Sequence, residues 1–346
     1  MEEFNLADGV KLVIKDNVLA VICDNTLKSL SSAFYNGGAN QVKAVLNVGV
    51  PEGYNDRSLH LDPLQLITSS AAKLGFTKDY LAMVTAAKIN NYSLVTKKTD
   101  NFSVSVAATA GCKHGESSGE EMDVAEISGG TINIIVLIDG KPAESCMVAS
   151  IITATEAKSA ALRDFDVRSL YTGDSATGSI TDSVTIISTN QGKTMSYGGP
   201  ASKLGKFVGY CTRKAVSEAI VKQEPFWKNR TVLDRLKERH LPVEKLATEV
   251  SKIEGLIIDA KGLEAILKGM PAASALLLAA AKMDDDYKKN LLSAELGDLE
   301  RVIKYFDNLA HLSINSSKPM GSDLVDLPPY VKHVLISIMQ EAYSKH

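Results

Sequence analysis

Cysteine is scarce and scattered. Cys23, Cys112, Cys146 and Cys211 form no C-x-x-C pair and no dense framework. That spacing excludes a disulfide-stapled scaffold and favours a reducing, cytoplasmic setting. The six histidines include no HxH or HExxH arrangement, so no metal site is expected. Nor is there a surplus of positive charge. The formal net charge is -3, which offers no basic field for nucleic acid. Long apolar runs are also missing: the longest, Ala272 to Ala281, is too short to span a bilayer and is followed by Lys282. No cationic start leads into an apolar core, so no signal peptide and no membrane partner are expected.

What remains is ordinary globular material, 45% hydrophobic and 23% charged. A length of 346 residues is a prior for two domains. The most informative stretch is Thr131 to Ile138, nearly all β-branched or apolar, which predicts a strand buried on both faces. Gly129-Gly130 precede it. Asp139-Gly140 then turns the chain, and Pro142 suits a first helical turn. Glu144 to about Arg163 is an Ala-rich helical pattern whose small residues imply close approach of other backbone. Asn133 is the one amide in the strand, and Thr153, Thr155, Glu156 and Lys158 are polar groups on the helix; any that are buried need partners.

Taken in order, Val10–Ile14 and Val18–Ile22 flank Lys15-Asp16-Asn17 as a hairpin, with Asn17 suited to positive φ. Leu30-Ser-Ser-Ala-Phe-Tyr-Asn-Gly-Gly38 is too small and polar for a core element. Its Ser32, Asn36, Gly37 and Gly38 suit either a surface loop or a ligand-binding turn. Further strands are expected at Val42–Val50, Leu81–Ala87, Phe102–Ala108 and Asp182–Thr189. A helix is expected from an Asp62 cap with Pro63 at its first position, ending near Gly75. Two long polar loops, Thr109 to Glu121 and Asp164 to Ser179, are of a length that is usually functional. Leu204, Phe207, Val208, Cys211, Ala215 and Ala219 make a helical stripe. After Gln223 the strand patterning stops, and Asp284-Asp285-Asp286 suits a solvated turn better than a metal site. The expected fold is α+β: a mixed, largely antiparallel sheet with packed helices over residues 1–223, then a small all-helical domain over 224–346.

Gly130-Thr-Ile-Asn-Ile-Ile-Val-Leu137, followed by Ile152-Thr-Ala-Thr-Glu-Ala-Lys158, resembles the adenosylcobinamide amidohydrolase family of corrinoid salvage. Ser175-Ala-Thr-Gly-Ser-Ile-Thr-Asp182 and Gly199-Pro-Ala-Ser-Lys-Leu-Gly205 agree, and the four motifs fall in family-like order. The resemblance implies hydrolysis of the amide joining aminopropanol to a corrin-ring propionate, giving adenosylcobyric acid. Adenosylcobinamide would be the substrate and no further cofactor would be required. A corrinoid-binding protein without turnover is the competing reading.

Amides are poor electrophiles. The site must stabilise an oxyanion, activate a nucleophile and protonate the leaving amine. Three residues are candidates for the catalytic work. Asp182, at a loop-to-strand junction, suits water activation or a turn cap. Glu156 suits a base or a structural ion pair. His114 suits an acid/base, a contact to the lower face of cobalt, or plain solvent exposure. Candidate substrate contacts are Ser32, Asn36, Gly37, Gly38, Thr109, Gly111, Asn133, Thr177, Gly178, Thr181, Ser202 and Lys203. The chain departs from the family pattern at Cys112-Lys-His-Gly115, and in having Ala201 where a histidine is usual, so no histidine at 201 is essential.

Overall fold

A computed structural model describes residues 2–51, 63–121, 130–253, 255–292 and 322–344. The expected Asp62 cap, Gly129 and most of the 51–61 loop lie outside these residues. The described chain forms two compact units. The first comprises Met1–Tyr171 and Ser175–Lys228; the second comprises Asn229–His346 together with Thr172–Asp174.

The first unit is built on a nine-stranded sheet. Strands β1 (Glu2–Ala7), β2 (Val10–Lys15) and β3 (Val18–Ser31) run antiparallel. Asp16 and Asn17 make the β2–β3 turn at φ 50° and 61°, as the sequence predicts for Asn17. β3 is longer than its apolar run suggests. Its first half pairs with β2 and its last residues pair with β12 (Ser183–Ser188), while β4 (Gly38–Gly49) follows it along both halves. A register shift between Ile22 and Leu27 divides the halves and bends the strand. The polar stretch after Leu30 is therefore the link between two long strands, not a free surface loop.

The remaining strands are β5 (Tyr80–Thr85), β6 (Ser93–Lys98), β7 (Ser103–Gly111) and β9 (Thr131–Asp139). Outside this sheet, β10 (Lys141–Pro142) pairs in parallel with β13 (Thr194–Met195). Within it, β4 with β5 and β12 with β9 are the parallel pairs and the other ladders are antiparallel. This is the mixed, largely antiparallel sheet expected. It curls, so that one face closes on itself and the other carries helices.

Period-two alternation sorts the side chains between the two faces. In β9, Ile132, Ile134, Val136 and Ile138 pack under α2 (Glu144–Asp164) and α3 (Lys203–Gln223). Ile135 and Leu137 point into the curl with Leu19, Val45, Leu81 and Ile187. A third cluster lies beneath α1 (Leu64–Lys73), where Ile67 and Ala71 meet Ala20, Leu46 and Ala82. Pro63 takes the cap position of α1 rather than its first helical position.

α2 is Ala-rich because backbone crosses it. Thr153 Oγ1 donates to Gly198 O at 2.9 Å. A Cβ on Gly198 would collide with the Cys146 carbonyl, so glycine is required there.

α3 ends at Gln223, yet the first unit continues. Glu224 accepts from Cys112 N (3.4 Å), Lys113 N (3.3 Å) and Trp227 Nε1 (2.6 Å). The Trp227 ring is buried in the core between sheet and helices. A chain ending at Lys228 should therefore keep the first unit's stability. A chain ending at Gln223 should lose about 3 kcal/mol or more, the usual effect of deleting a buried Trp. Thermal melts of the two truncated chains test this, and identical melting temperatures would refute it.

The second unit is helical: α4 (Val232–Lys237), α5 (Val243–Val250), α6 (Ala260–Gly269), α7 (Pro271–Lys288) and α8 (Pro329–Ser344). Leu246, Val250, Leu263, Leu277, Val334 and Met339 are among its core. The three aspartates from Asp284 lie inside α7, not in a turn. Asp284 is buried and accepts from Tyr330 N and Val331 N, both at 2.9 Å, so it caps α8 from the neighbouring helix. No single helix among the described residues is long and apolar enough to cross a membrane.

Candidate active site

A cavity of about 260 Å³ opens where β9 and β12 begin and β3 ends. Its apolar wall includes Met83, Val84 and Phe34; Ser32, Gly130, Thr131, Thr181, Asp182 and Ser183 supply the polar groups. Asp182 is the one titratable side chain among the described residues lining it.

The two long loops build this end of the sheet by pairing with each other. β8 (Gly115–Glu116) and β11 (Gly178–Ser179) make a short antiparallel ladder. Gly115 lies so close to the Arg168 carbonyl that a Cβ would sit 2.5 Å from it. Burial, reinforced by Glu120, pushes the Glu116 carboxyl up from its ordinary value. This ladder carries the chain from Thr177 to Asp182 up to the start of β9.

Asp182 is held there by four donors. Oδ1 accepts from Ile132 N at 3.0 Å and from the Ser179 hydroxyl; Oδ2 accepts from Ser179 N at 3.1 Å and from Lys158 Nζ. Lys158 comes from α2 and is the one buried lysine among the described residues. Its side chain and that of Asp182 are 9% and 12% exposed, so the pair is shielded from water. Gly178 makes room for it: a Cβ at 178 would lie 2.8 Å from Lys158 Nζ and 2.6 Å from Asp182 Oδ2. Beside the pair, the Thr131 and Thr181 hydroxyls meet at 2.9 Å.

The structure brings Asp182, Thr181 and Ser32 to the cavity lining and sets Gly178 directly behind Asp182. It places the other expected contacts elsewhere. Asn133 and Thr109 are 1% exposed and belong to a polar ladder inside the curl. Asn133 Nδ2 donates to Asn47 Oδ1 (2.8 Å) and Val84 O (2.9 Å), and Asn47 Nδ2 donates to Thr109 Oγ1 (2.8 Å). Thr177 ties the loops together, accepting from Ser118 N at 2.9 Å. Gly111 sits against Ala87 and Glu224.

Ser202 caps α3, accepting from Gly205 N at 2.9 Å, and Lys203 is exposed on that helix's first turn. Glu156 is on the exposed face of α2, two residues from buried Lys158. The His114 backbone adjoins Gly130, but its side chain is not in the lining.

Sequence reasoning did not select Lys158, Thr131, Ser179 or Phe34. For Lys158 a signal exists: it falls on the stripe of small buried residues Ala154, Ala157 and Ala161, where a lysine needs a counter-charge. Among the described residues, no group of three or more His, Cys, Asp or Glu side chains is placed to hold a metal ion.

An uncharacterised protein of Methanocaldococcus jannaschii is 28% identical over 233 residues, covering 62% of this chain and 89% of the relative. A Methanosarcina mazei protein named adenosylcobinamide amidohydrolase is 29% identical over 214 residues, covering 60% of this chain and 92% of the relative. A crystal structure of a Pyrococcus horikoshii protein aligns at TM-score 0.31 and 10% identity, covering 62% of this chain and 82% of that one. The sequence pattern of one family matches residues 3–226, which include every described residue lining the cavity, the Asp182–Lys158 pair and the ladder behind it: the chain belongs to the adenosylcobinamide amidohydrolase family.

Proposed function

We propose that the protein hydrolyses the aminopropanol amide of adenosylcobinamide, giving adenosylcobyric acid and free aminopropanol for corrinoid salvage. Family membership makes the chain a hydrolase of an amide bond. The observation that carries the finer reading is that Asp182 is the one carboxylate among the described residues lining the cavity, the rest of which supply hydroxyls, backbone and apolar groups.

In this reading the amide-bearing arm enters the cavity. Water attacks the carbonyl carbon as Asp182 takes its proton, and the oxyanion accepts from the Thr131–Thr181 hydroxyl pair. Asp182 then returns the proton to the nitrogen and the C–N bond breaks; the carboxylic acid passes its remaining proton to the amine, and the products leave as carboxylate and ammonium. The four donors on Asp182 occupy all its lone-pair sites. One must give way to the water. The Ser179 hydroxyl can do so by rotating about a single bond, whereas the backbone donors are fixed. Lys158 keeps the carboxylate in place throughout.

Incubation of the protein with adenosylcobinamide, followed by mass spectrometry, tests this. A new corrinoid carboxylate and free aminopropanol are expected; an unchanged corrinoid would make the protein a binder. The mechanism uses a carboxylate and hydroxyls alone, so dialysis against a chelator should leave turnover unchanged. Loss of turnover that one divalent ion restores would refute that part.

A further inference from the structure

We infer that Phe34 is the platform on which the corrin macrocycle rests, and that the turn around it exists to hold that ring outward at the cavity mouth. This rests on the proposed substrate. Its starting point is size. A cavity of about 260 Å³ falls below the roughly 300–1,000 Å³ that encloses a drug-sized molecule. A macrocycle with its fringe of amides stays outside, and only the arm carrying the scissile bond enters. The ring must then lie on whatever surrounds the opening. Phe34 lines that opening and is 59% exposed.

An exposed phenylalanine is ordinary on a floppy loop, but this turn is fixed at every residue around Phe34. Ala33 N donates to Ser31 Oγ at 2.9 Å. Tyr35 and Ala82 exchange both backbone hydrogen bonds, at 3.1 and 3.0 Å. The Tyr35 ring stacks on Tyr80 at 5.0 Å. Asn36, at φ 53°, donates from Nδ2 to Tyr80 O at 2.9 Å. Gly37 packs against the Ala33 carbonyl with no room for a Cβ.

Ala33 is buried, Tyr35 is half-buried and both are bonded, so the large apolar group of the turn left outward is Phe34. This gives Asn36 and Gly37 a role that the cavity lining does not: they build the mount. A rigid, pre-placed aromatic ring loses little entropy when a flat apolar surface settles on it.

The test is binding of adenosylcobinamide by equilibrium dialysis, and its turnover, for the full-length wild type, Phe34→Ala and Phe34→Trp. Phe34→Ala should weaken binding about tenfold, raise KM by a similar factor and leave kcat within about twofold. Phe34→Trp should restore wild-type affinity. The melting temperature should stay unchanged in both, since the ring is exposed. Wild-type affinity in Phe34→Ala, with normal wild-type turnover, would overturn the platform and leave the proposed reaction standing. A wild type that binds no corrinoid would overturn the proposed substrate and the platform together. A fall in kcat at unchanged affinity would also overturn the inference, because it would place Phe34 in the chemistry and not in docking.

Discussion

Asp182→Asn should lower turnover by roughly 10²–10⁴-fold and at the same time destabilise the first unit by about 3–5 kcal/mol. The first figure is the usual effect of removing a general base. The second is the usual effect of stripping one partner from a buried ion pair, here the Lys158 ammonium. Asn still offers an acceptor to Ile132 N and Ser179, so the wall itself should persist.

The two effects separate in a double variant. Lys158→Met together with Asp182→Asn removes both charges and should recover most of the lost stability, because a neutral pair of similar volume is often as stable as the buried ion pair it replaces. Turnover should not recover. If turnover returns along with the melting temperature, Asp182 only positions the site and the base lies elsewhere. Steady-state kinetics and thermal melts on the single and double variants decide between these outcomes.

The second large effect belongs to the helical unit. Asp284→Ala should destabilise it by about 3 kcal/mol, because Tyr330 N and Val331 N lose their shared buried acceptor. Wild-type stability should also depend on pH at this residue. Burial pushes the Asp284 carboxyl up to about 6 against the opposing pull of the two N–H groups, with Asp285 adding to the rise.

The folded unit therefore holds a proton between about pH 4 and pH 6 that the unfolded chain has released. The resulting stabilisation is fully present below about pH 4 and is lost as pH rises through about 6, a change on the order of 3 kcal/mol. Asp284→Asn cannot titrate, so the difference between its stability and the wild type's should vary across that window and be flat above it. Denaturant unfolding at pH 4.5, 5.5 and 7.5 measures this. A difference that does not change with pH would refute the assignment.

The fold was legible where one periodicity dominates. Thr131 to Ile138 reads as a strand buried on both faces, and it is one because helices cover one side and the curl covers the other. Small residues on α2 predicted a close backbone, and the Gly198 segment supplies it. What the sequence concealed depends on contacts made far along the chain. β3 continues past its apolar run because β4 and β12 pair with its polar end. Asn133, Thr109 and Ser202 looked like ligand contacts because they are polar within motifs. Their partners are other parts of the fold, and only the tertiary arrangement reveals that. Lys158 was visible as a polar residue on an apolar stripe, but its partner lies 24 residues away in a loop.

β3 also has a bearing on how the molecule assembles. The hairpins from β1 to β4 close over short stretches of chain and can form early. The Ser31 and Thr185 hydroxyls, 2.6 Å apart, join residues separated by 154 positions. Contacts of such separation form slowly, because the entropy of closing the loop must be met before they contribute anything. β12 should therefore dock late, bringing Asp182 and Ser183 opposite Ser32. The pocket should then be among the last parts of the first unit to form, and a chain collapsed around its early hairpins should still lack it.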